Sequence, residues 1–98
     1  MNKVLYWAIL GTRGGLNRAK IIKKLNKMPC NAHQLAEELN LSYRTIRYHL
    51  KILEDAKIVK PTGERYGKIY FLSEEMEKNY DDFEVIWKQV KGVKDDLM

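Results

Sequence analysis

The sequence predicts a mainly α-helical fold with one small β-hairpin, and three observations support this prediction. Apolar residues recur at helical spacing in segments that Gly, Pro or Asn separate, as expected for short packed helices. Residues 31–59 have the pattern of two short helices joined by a tight turn. Two β-forming stretches then flank a loop that contains Pro and Gly, which is typical of a hairpin. The length of 98 residues fits one domain with one appended helix.

The first two helices are predicted from apolar spacing and from the residues at their ends. Residues 3–10 form a short apolar helix with little polar surface, so we expect both of its sides to be covered. Asn17 is the expected N-cap of the second helix, and Pro29 ends that helix. One face of the second helix is apolar and carries Ile21, Ile22, Leu25 and Met28.

The third and fourth helices carry clear capping signals. Asn31 and Gln34 match a capping box, and Asn40 can end the third helix in a left-handed conformation. Ser42 is the expected N-cap of the fourth helix, which runs over residues 42–56. At 100° per residue, the core side of this helix carries Ile46, Leu50 and Leu53.

The opposite side of helix 42–56 is basic and aromatic. Arg44, Tyr48 and Lys51 point away from the core, and Arg47 and Thr45 flank them. A major groove of duplex DNA admits such a helix, with its N-terminal half deepest. We therefore expect groove contacts from the first half of the helix and a phosphate contact from Lys51. The alternative is that these exposed side chains are only solvated. The expected groove contacts are Tyr43, Arg44, Thr45, Arg47 and Tyr48.

A basic hairpin follows this helix. Ile58 and Val59 begin its first strand, residues 61–67 form the loop, and residues 68–72 form the second strand. Arg65 and Lys68 lie at or near the tip, where a basic loop can cross the DNA backbone or enter a minor groove. Residues 61–68 are thus a candidate wing, and the alternative is an ordinary polar hairpin.

The last segment predicts a dimer. Ser73 caps a final helix over residues 74–98, where apolar residues spaced 4, 3, 4 and 3 form a heptad seam. A second copy of the same helix, together with the apolar first helix, is the expected cover, and the alternative is that the helix folds back on its own domain. The expected dimer contacts are Leu5, Trp7, Met76, Tyr80, Phe83, Trp87 and Val90.

Charge is divided unevenly along the chain. Residues 1–72 hold 14 Lys or Arg and 5 Asp or Glu, whereas residues 73–98 hold 4 Lys and 8 acids. A basic body suits a polyanion, because its contacts release condensed counterions. The acidic tail is expected to lie away from that polyanion.

The order of elements resembles a winged helix-turn-helix, and the motifs are similar to those of the ArsR-type prokaryotic regulators. Residues 34–39, QLAEEL, and residues 49–59, HLKILEDAKIV, carry the resemblance over about residues 17–73. It implies a dimeric repressor or activator. Together with the heptad seam, it divides the chain into a DNA-binding domain at 1–73 and a dimerisation helix at 74–98, and the symmetric dimer is expected to bind a palindromic operator. Lys57 departs from the Gly of that pattern, and the metal-binding motifs of the family's sensors are absent from this sequence.

Cys30, His33 and His49 are the remaining candidates for a metal or redox site. Cys30 and His33 have C-x-x-H spacing, but structural zinc needs four ligands and His49 is distant in sequence, so we expect no metal. Cys30 near a helix N-terminus is a candidate for a lowered thiol pKa and a redox role. A lone cysteine and no bilayer-length apolar run indicate a cytoplasmic protein without a membrane anchor.

The sequence therefore predicts a sequence-specific regulator that binds double-stranded DNA as a homodimer. The alternative is a winged-helix interaction or assembly module of a transcription or replication complex, with the acidic tail as its interface. No phosphate loop or nucleophile motif supports an enzyme, and no cofactor is expected. The sequence does not identify a small-molecule effector.

Overall fold

The computed structural model describes residues 2–63 and 67–96. Its helices and hairpin follow the predicted order, so the mainly α-helical winged fold is confirmed. The elements are α1 (Asn2–Leu10), α2 (Gly15–Lys27), α3 (Ala32–Leu39), α4 (Tyr43–Asp55), β1 (Val59–Thr62), β2 (Ile69–Leu72), α5 (Glu74–Lys78) and α6 (Tyr80–Asp96).

The connection between α1 and α2 is shorter than predicted. Gly14 takes a left-handed conformation with φ of 84° and precedes the first residue of α2, Gly15. Only glycine adopts this region without steric cost, so the chain turns at Gly14 and α2 begins at the next residue. The prediction of Asn17 as the N-cap is wrong, because Asn17 already lies in the first turn of α2.

The caps of α3 and α4 match the prediction. The Asn31 side chain accepts from the Gln34 backbone N–H, and the Gln34 side chain accepts from the Asn31 N–H, each at 2.8 Å. Asn40 ends α3 at φ of 55°, and Ser42 Oγ accepts from the Thr45 N–H at 3.0 Å. These caps fix the short turn that sets the angle of α4 against α3.

The turn after α4 keeps the usual helix ending in spite of Lys57. Lys57 adopts φ of 61°, its N–H donates to Glu54 O, and the Ile58 N–H donates to Leu53 O, each at 2.9 Å. This is a Schellman ending, which normally places glycine at the left-handed position. Lys57 therefore replaces glycine in the sequence while the backbone path stays the same.

The hairpin is pinned to the rest of the fold through Tyr70. Strands β1 and β2 pair antiparallel, with Val59 opposite Leu72 and Pro61 opposite Tyr70. Tyr70 directs its backbone N–H and C=O to Cys30, at 2.8 and 3.2 Å, instead of to Pro61. Pro61 lacks an N–H and so fits this position. The predicted loop at 61–67 therefore begins too early, since β1 runs to Thr62.

The predicted final helix is broken into two. Ser73 caps α5 as expected, with its Oγ accepting from the Met76 N–H at 3.0 Å, but the chain leaves helical geometry at Asn79. The break lets α6 fold back against α1. Consequently Leu5, Met76 and Phe83 are completely buried by their own chain. The prediction that these three residues contact a second chain is corrected to a role in the intrachain core.

One side of α1 remains uncovered by the described chain. Leu5, Ala8 and Ile9 are buried, whereas Val4, Tyr6, Trp7 and Leu10 are 39%, 42%, 51% and 44% exposed. The half-buried Tyr80, Trp87 and Val90 of α6 pack at the edge of the core. None of the described helices is long and apolar enough to cross a bilayer.

Candidate nucleic-acid interface

Helix α4 has the two faces that its sequence predicts. Ile46, Leu50 and Leu53 are at most 1% exposed, so burial against the core fixes the rotation of the helix. Arg44 and Tyr48 are therefore presented to solvent on the opposite side, with Tyr48 62% exposed. This exposed basic and aromatic side of α4 is the one that the sequence predicted to contact DNA.

Two residues near the start of α4 are held by neighbours. The Tyr43 ring stacks on His33 with centroids 4.3 Å apart, and it remains 44% exposed. The Thr45 hydroxyl is half-buried and accepts from Ser42 Oγ at 2.9 Å. Both side chains are thus pre-ordered, which lowers the entropy cost of any contact that they make.

Arg47 turns towards the hairpin. Its Nη1 donates to the Tyr70 hydroxyl at 2.9 Å, across the gap between α4 and β2. Lys68, the residue before β2, lines the same cleft as Arg47 and Tyr70. The structure thus separates Arg47 from the exposed pair Arg44 and Tyr48. Arg65, the other predicted wing residue, lies outside the described residues.

Lys51 lies one turn beyond Arg47 on the exposed side. Its Nζ is 3.6 Å from a carboxylate oxygen of Asp55, and both side chains are more than 60% exposed. An ion pair in this environment is worth little and is easily exchanged for a phosphate. Its position is consistent with the predicted phosphate contact.

A buried arginine supports α4 from behind. Arg18 is 1% exposed, and its guanidinium donates to Ala8 O at 2.7 Å, to Arg13 O at 2.8 Å and to the Thr12 hydroxyl. Its Nη1 also lies 3.1 Å from His49 Nδ1. Ala8 O belongs to the C-terminal end of α1, where carbonyls lack helical partners and the helix dipole favours a cation. Arg18 thereby joins α1, its following loop and α4.

The same contact fixes the protonation of His49. A guanidinium only donates, so His49 Nδ1 must accept and the imidazole is neutral with its proton on Nε2. Burial and then the charge of Arg18 lower the pKa of His49. Burial also lowers the pKa of Arg18, and among the described residues no carboxylate lies within ion-pair distance of it.

Cys30, His33 and His49 have separate surroundings in the structure. Cys30 is 3% exposed, and burial raises the pKa of its thiol, so the predicted lowered pKa is wrong. His33 is engaged with Tyr43 and His49 with Arg18. Among the side chains described in residues 3–63 and 67–90, no three from His, Cys, Asp or Glu converge into a potential metal site.

Comparison with known proteins decides the family. Residues 17–60 match the family model described as bacterial regulatory protein, arsR family. Over 75 residues the chain is also 43% identical to an uncharacterized HTH-type transcriptional regulator of Methanocaldococcus jannaschii, a match that covers 72% of this chain and 77% of that protein. The chain belongs to the ArsR family. This family consists of transcriptional regulators and not of enzymes.

Solved structures agree with the ArsR fold. An ArsR-like transcriptional regulator from Rhodococcus sp. RHA1 superposes with a TM-score of 0.61 at 20% identity, over 98% of this chain and 89% of that one. The adhesin competence repressor of Streptococcus pyogenes superposes with a TM-score of 0.62 at 17% identity, over 82% of this chain. The ArsR-family chain spans 61% of the length of that repressor. At these identities the likeness concerns the fold.

Two residues that support the candidate interface, Arg18 and Tyr70, were not identified from sequence. Arg18 lies on the same helical stripe as Ile21, Ile22 and Leu25, and this spacing was the signal that it is buried. Tyr70 alternates with Ile69 and Phe71 in β2, which places it on the inner side of the hairpin. A tyrosine in a strand is ordinarily a packing residue, so its bond to Arg47 had no sequence signal.

His49 predicts an acid-sensitive stability for this ArsR-family protein. Because the folded-state pKa is lowered below the ordinary value of 6.5, the unfolded chain binds the proton first on acidification. The His49 contribution should be complete above pH 6.5 and fall as the pH drops from there to the folded pKa. Urea unfolding between pH 8 and pH 5 measures it. His49→Gln, which can still accept from Arg18, should flatten this part of the profile, and an unchanged slope would refute the assignment.

Proposed function

We propose that this chain is a sequence-specific regulator that binds double-stranded DNA as a homodimer. Helix α4 would lie in the major groove, with the 61–68 wing on the flanking backbone or minor groove. The observation that carries the proposal is the exposed row of Arg44, Tyr48 and Lys51 on a helix whose opposite face is completely buried. An excess of cations in residues 1–72 supports binding to a polyanion.

The dimer is proposed from the exposed face of α1. Val4 and Trp7 form exposed apolar surface beside Ile52 and Ala56 at the C-terminal end of α4, whereas Trp87 is half-buried against the lysines of α2. Exposed aromatic surface of this kind is typical of protein interfaces. Among the predicted dimer contacts, Trp7 is exposed and Tyr80, Trp87 and Val90 are half-buried, and these four stay in the proposal. A symmetric dimer would present its two α4 helices to a palindromic site at a spacing of roughly 34 Å.

The first experiment is a binding titration against genomic DNA fragments, including the region upstream of the chain's own gene, at two salt concentrations. Tight binding to a few fragments that survives at physiological salt supports the proposal and reveals the operator. Weak binding to every fragment that vanishes with salt contradicts it, because only the non-specific polyanion term would remain. Sedimentation of the bound and free protein tests the dimer, and a monomer on the operator would contradict that part.

Arg44→Ala tests the orientation of α4 in the groove. An arginine fork on a guanine edge contributes about 1–3 kcal/mol of discrimination, so the variant should bind the operator more weakly and lose preference at one base pair. Binding to the operator and to variants of each base pair measures both effects.

Lys51→Ala is the matched control for Arg44→Ala. As a phosphate contact, Lys51 should weaken binding to all sequences about equally and lower the salt slope by roughly one. If Arg44→Ala produced this uniform loss, or none, the proposed docking of α4 would be wrong.

A further inference from the structure

Arg47 differs from the other cations of α4 because it is already held by the protein. The Tyr70 hydroxyl accepts from Arg47 Nη1 at 2.9 Å, and Tyr70 is buried, with only 2% of its surface exposed. A free arginine side chain loses about 2 kcal/mol of rotamer entropy when a ligand immobilises it. Tyr70 has removed part of this cost before any ligand binds.

The backbone of Tyr70 is itself held by two hydrogen bonds. Its backbone N–H donates to Cys30 O at 2.8 Å, and its C=O accepts from the Cys30 N–H at 3.2 Å. This bridge ties β2 to the connection between α2 and α3. The hydroxyl is therefore a rigid anchor at the meeting point of the hairpin, α3 and α4.

The anchored guanidinium lies at a small basic cleft. Arg47 and Lys68 line it together with the Tyr70 hydroxyl, and Asn31 and His33 from the start of α3 close its other side. Its lining contains no acidic residue, and Glu54 lines the adjoining cleft that shares Arg47, Lys68 and Tyr70. The volume of the small basic cleft is about 150 Å³, which is below the roughly 300 Å³ of ordinary small-molecule pockets and suits a single phosphate group.

We propose that Tyr70 is a positioning residue that holds Arg47 on a phosphate of the DNA backbone at this cleft. Resting on the proposed DNA binding, this assignment moves Arg47 from base reading to backbone positioning. With Nη1 on Tyr70, the remaining guanidinium N–H groups are available for the phosphate oxygens, which arginine binds with a planar fork. Lys68 adds a second cation from the hairpin side.

The chemistry of this contact is independent of DNA sequence. A phosphate is the same at every base pair, so the cleft fixes the register of the protein on the duplex and leaves base preference to other residues. Arg47→Ala should therefore weaken operator and random DNA in parallel and lower the salt slope by roughly one. Relaxed base preference in this variant would overturn the proposal.

Tyr70→Phe with and without Arg47→Ala is the decisive experiment. The phenylalanine keeps the ring in the core and removes only the hydroxyl. Equal thermal unfolding midpoints of the variant and the wild type would verify that the fold is unchanged. In the wild-type background we expect about threefold to tenfold weaker binding to all DNA, the size of one hydrogen bond, with a nearly unchanged salt slope since Arg47 keeps its charge. In the Arg47→Ala background the same change should have no effect.

The two backgrounds separate positioning from packing. If Tyr70 acted only through the fold, Tyr70→Phe would weaken binding equally with and without Arg47, and the inference would be overturned. If the wild-type protein binds DNA and the Tyr70→Phe variant binds it equally well, the inference would be overturned. The proposed function would then still stand. Wild-type protein without salt-dependent DNA binding would overturn the proposed function and this inference together.

Discussion

Replacing Arg18 with methionine should lower the free energy of unfolding by about 3 kcal/mol, because buried acceptors would lose their donor. Methionine fills most of the space of the arginine stem, so the effect isolates the guanidinium. The variant would leave Ala8 O without a partner inside the core and His49 Nδ1 facing an apolar side chain. Urea unfolding at pH 7.5, where His49 is neutral in both states, measures the difference.

Desolvation of the buried guanidinium acts in the opposite direction. Burying a guanidinium is costly, and replacing buried charges by apolar residues has stabilised other proteins when every partner was replaced as well. Here the partners are backbone carbonyls that remain, and Ala8 O has little access to water since Ala8 is completely buried. The unsatisfied acceptors should therefore outweigh the relief of desolvation.

Arg13→Met serves as the control, since Arg13 is exposed and its side chain is in none of the described hydrogen bonds or ion pairs. It should change the free energy of unfolding by less than about 0.5 kcal/mol, as exposed substitutions usually do. Equal stability of the Arg18 and Arg13 variants would show that the buried network contributes nothing.

Sequence alone predicted the helices whose ends carry side-chain signals. Asn31 with Gln34 and Ser42 with Thr45 make local hydrogen bonds, so their caps need no knowledge of distant residues. The faces of α4 also followed from local spacing, because one apolar stripe determines which side is buried. The exposed DNA-binding candidates on α4 were predictable for the same reason.

The errors occur where a distant partner decides the structure. Arg18 has its acceptors in α1, in the α1–α2 loop and in α4, so its place on the apolar stripe of α2 indicates burial without identifying these partners. The heptad spacing from Met76 onward fits a long seam, but the helix ends at Asn79, α6 packs against α1, and Met76 and Phe83 are buried within the chain. Helical periodicity identifies a buried face without identifying what covers it.

Gly15→Ala should destabilise the fold by about 2 kcal/mol or more, although alanine is the better helix former. A Cβ on Gly15 would lie 1.7 Å from Ile9 O and 2.5 Å from Ile9 C, so α1 and α2 would have to separate. The helix-propensity gain from Gly to Ala is at most about 1 kcal/mol. Overpacking costs about 1–3 kcal/mol, and a clash with backbone leaves no side chain to move aside, which places the cost at the upper end.

Gly67→Ala is the matched control, because nothing lies within 4 Å of a Cβ built there. Its free energy of unfolding should stay within about 0.5 kcal/mol of the wild type. The Gly15 variant should also weaken DNA binding, since separating α1 from α2 displaces the Ala8 carbonyl that holds Arg18 behind α4. If Gly15→Ala were as stable as Gly67→Ala, the close contact of α1 with α2 would be absent in solution. The buried Arg18 network that depends on this contact would then need a different geometry.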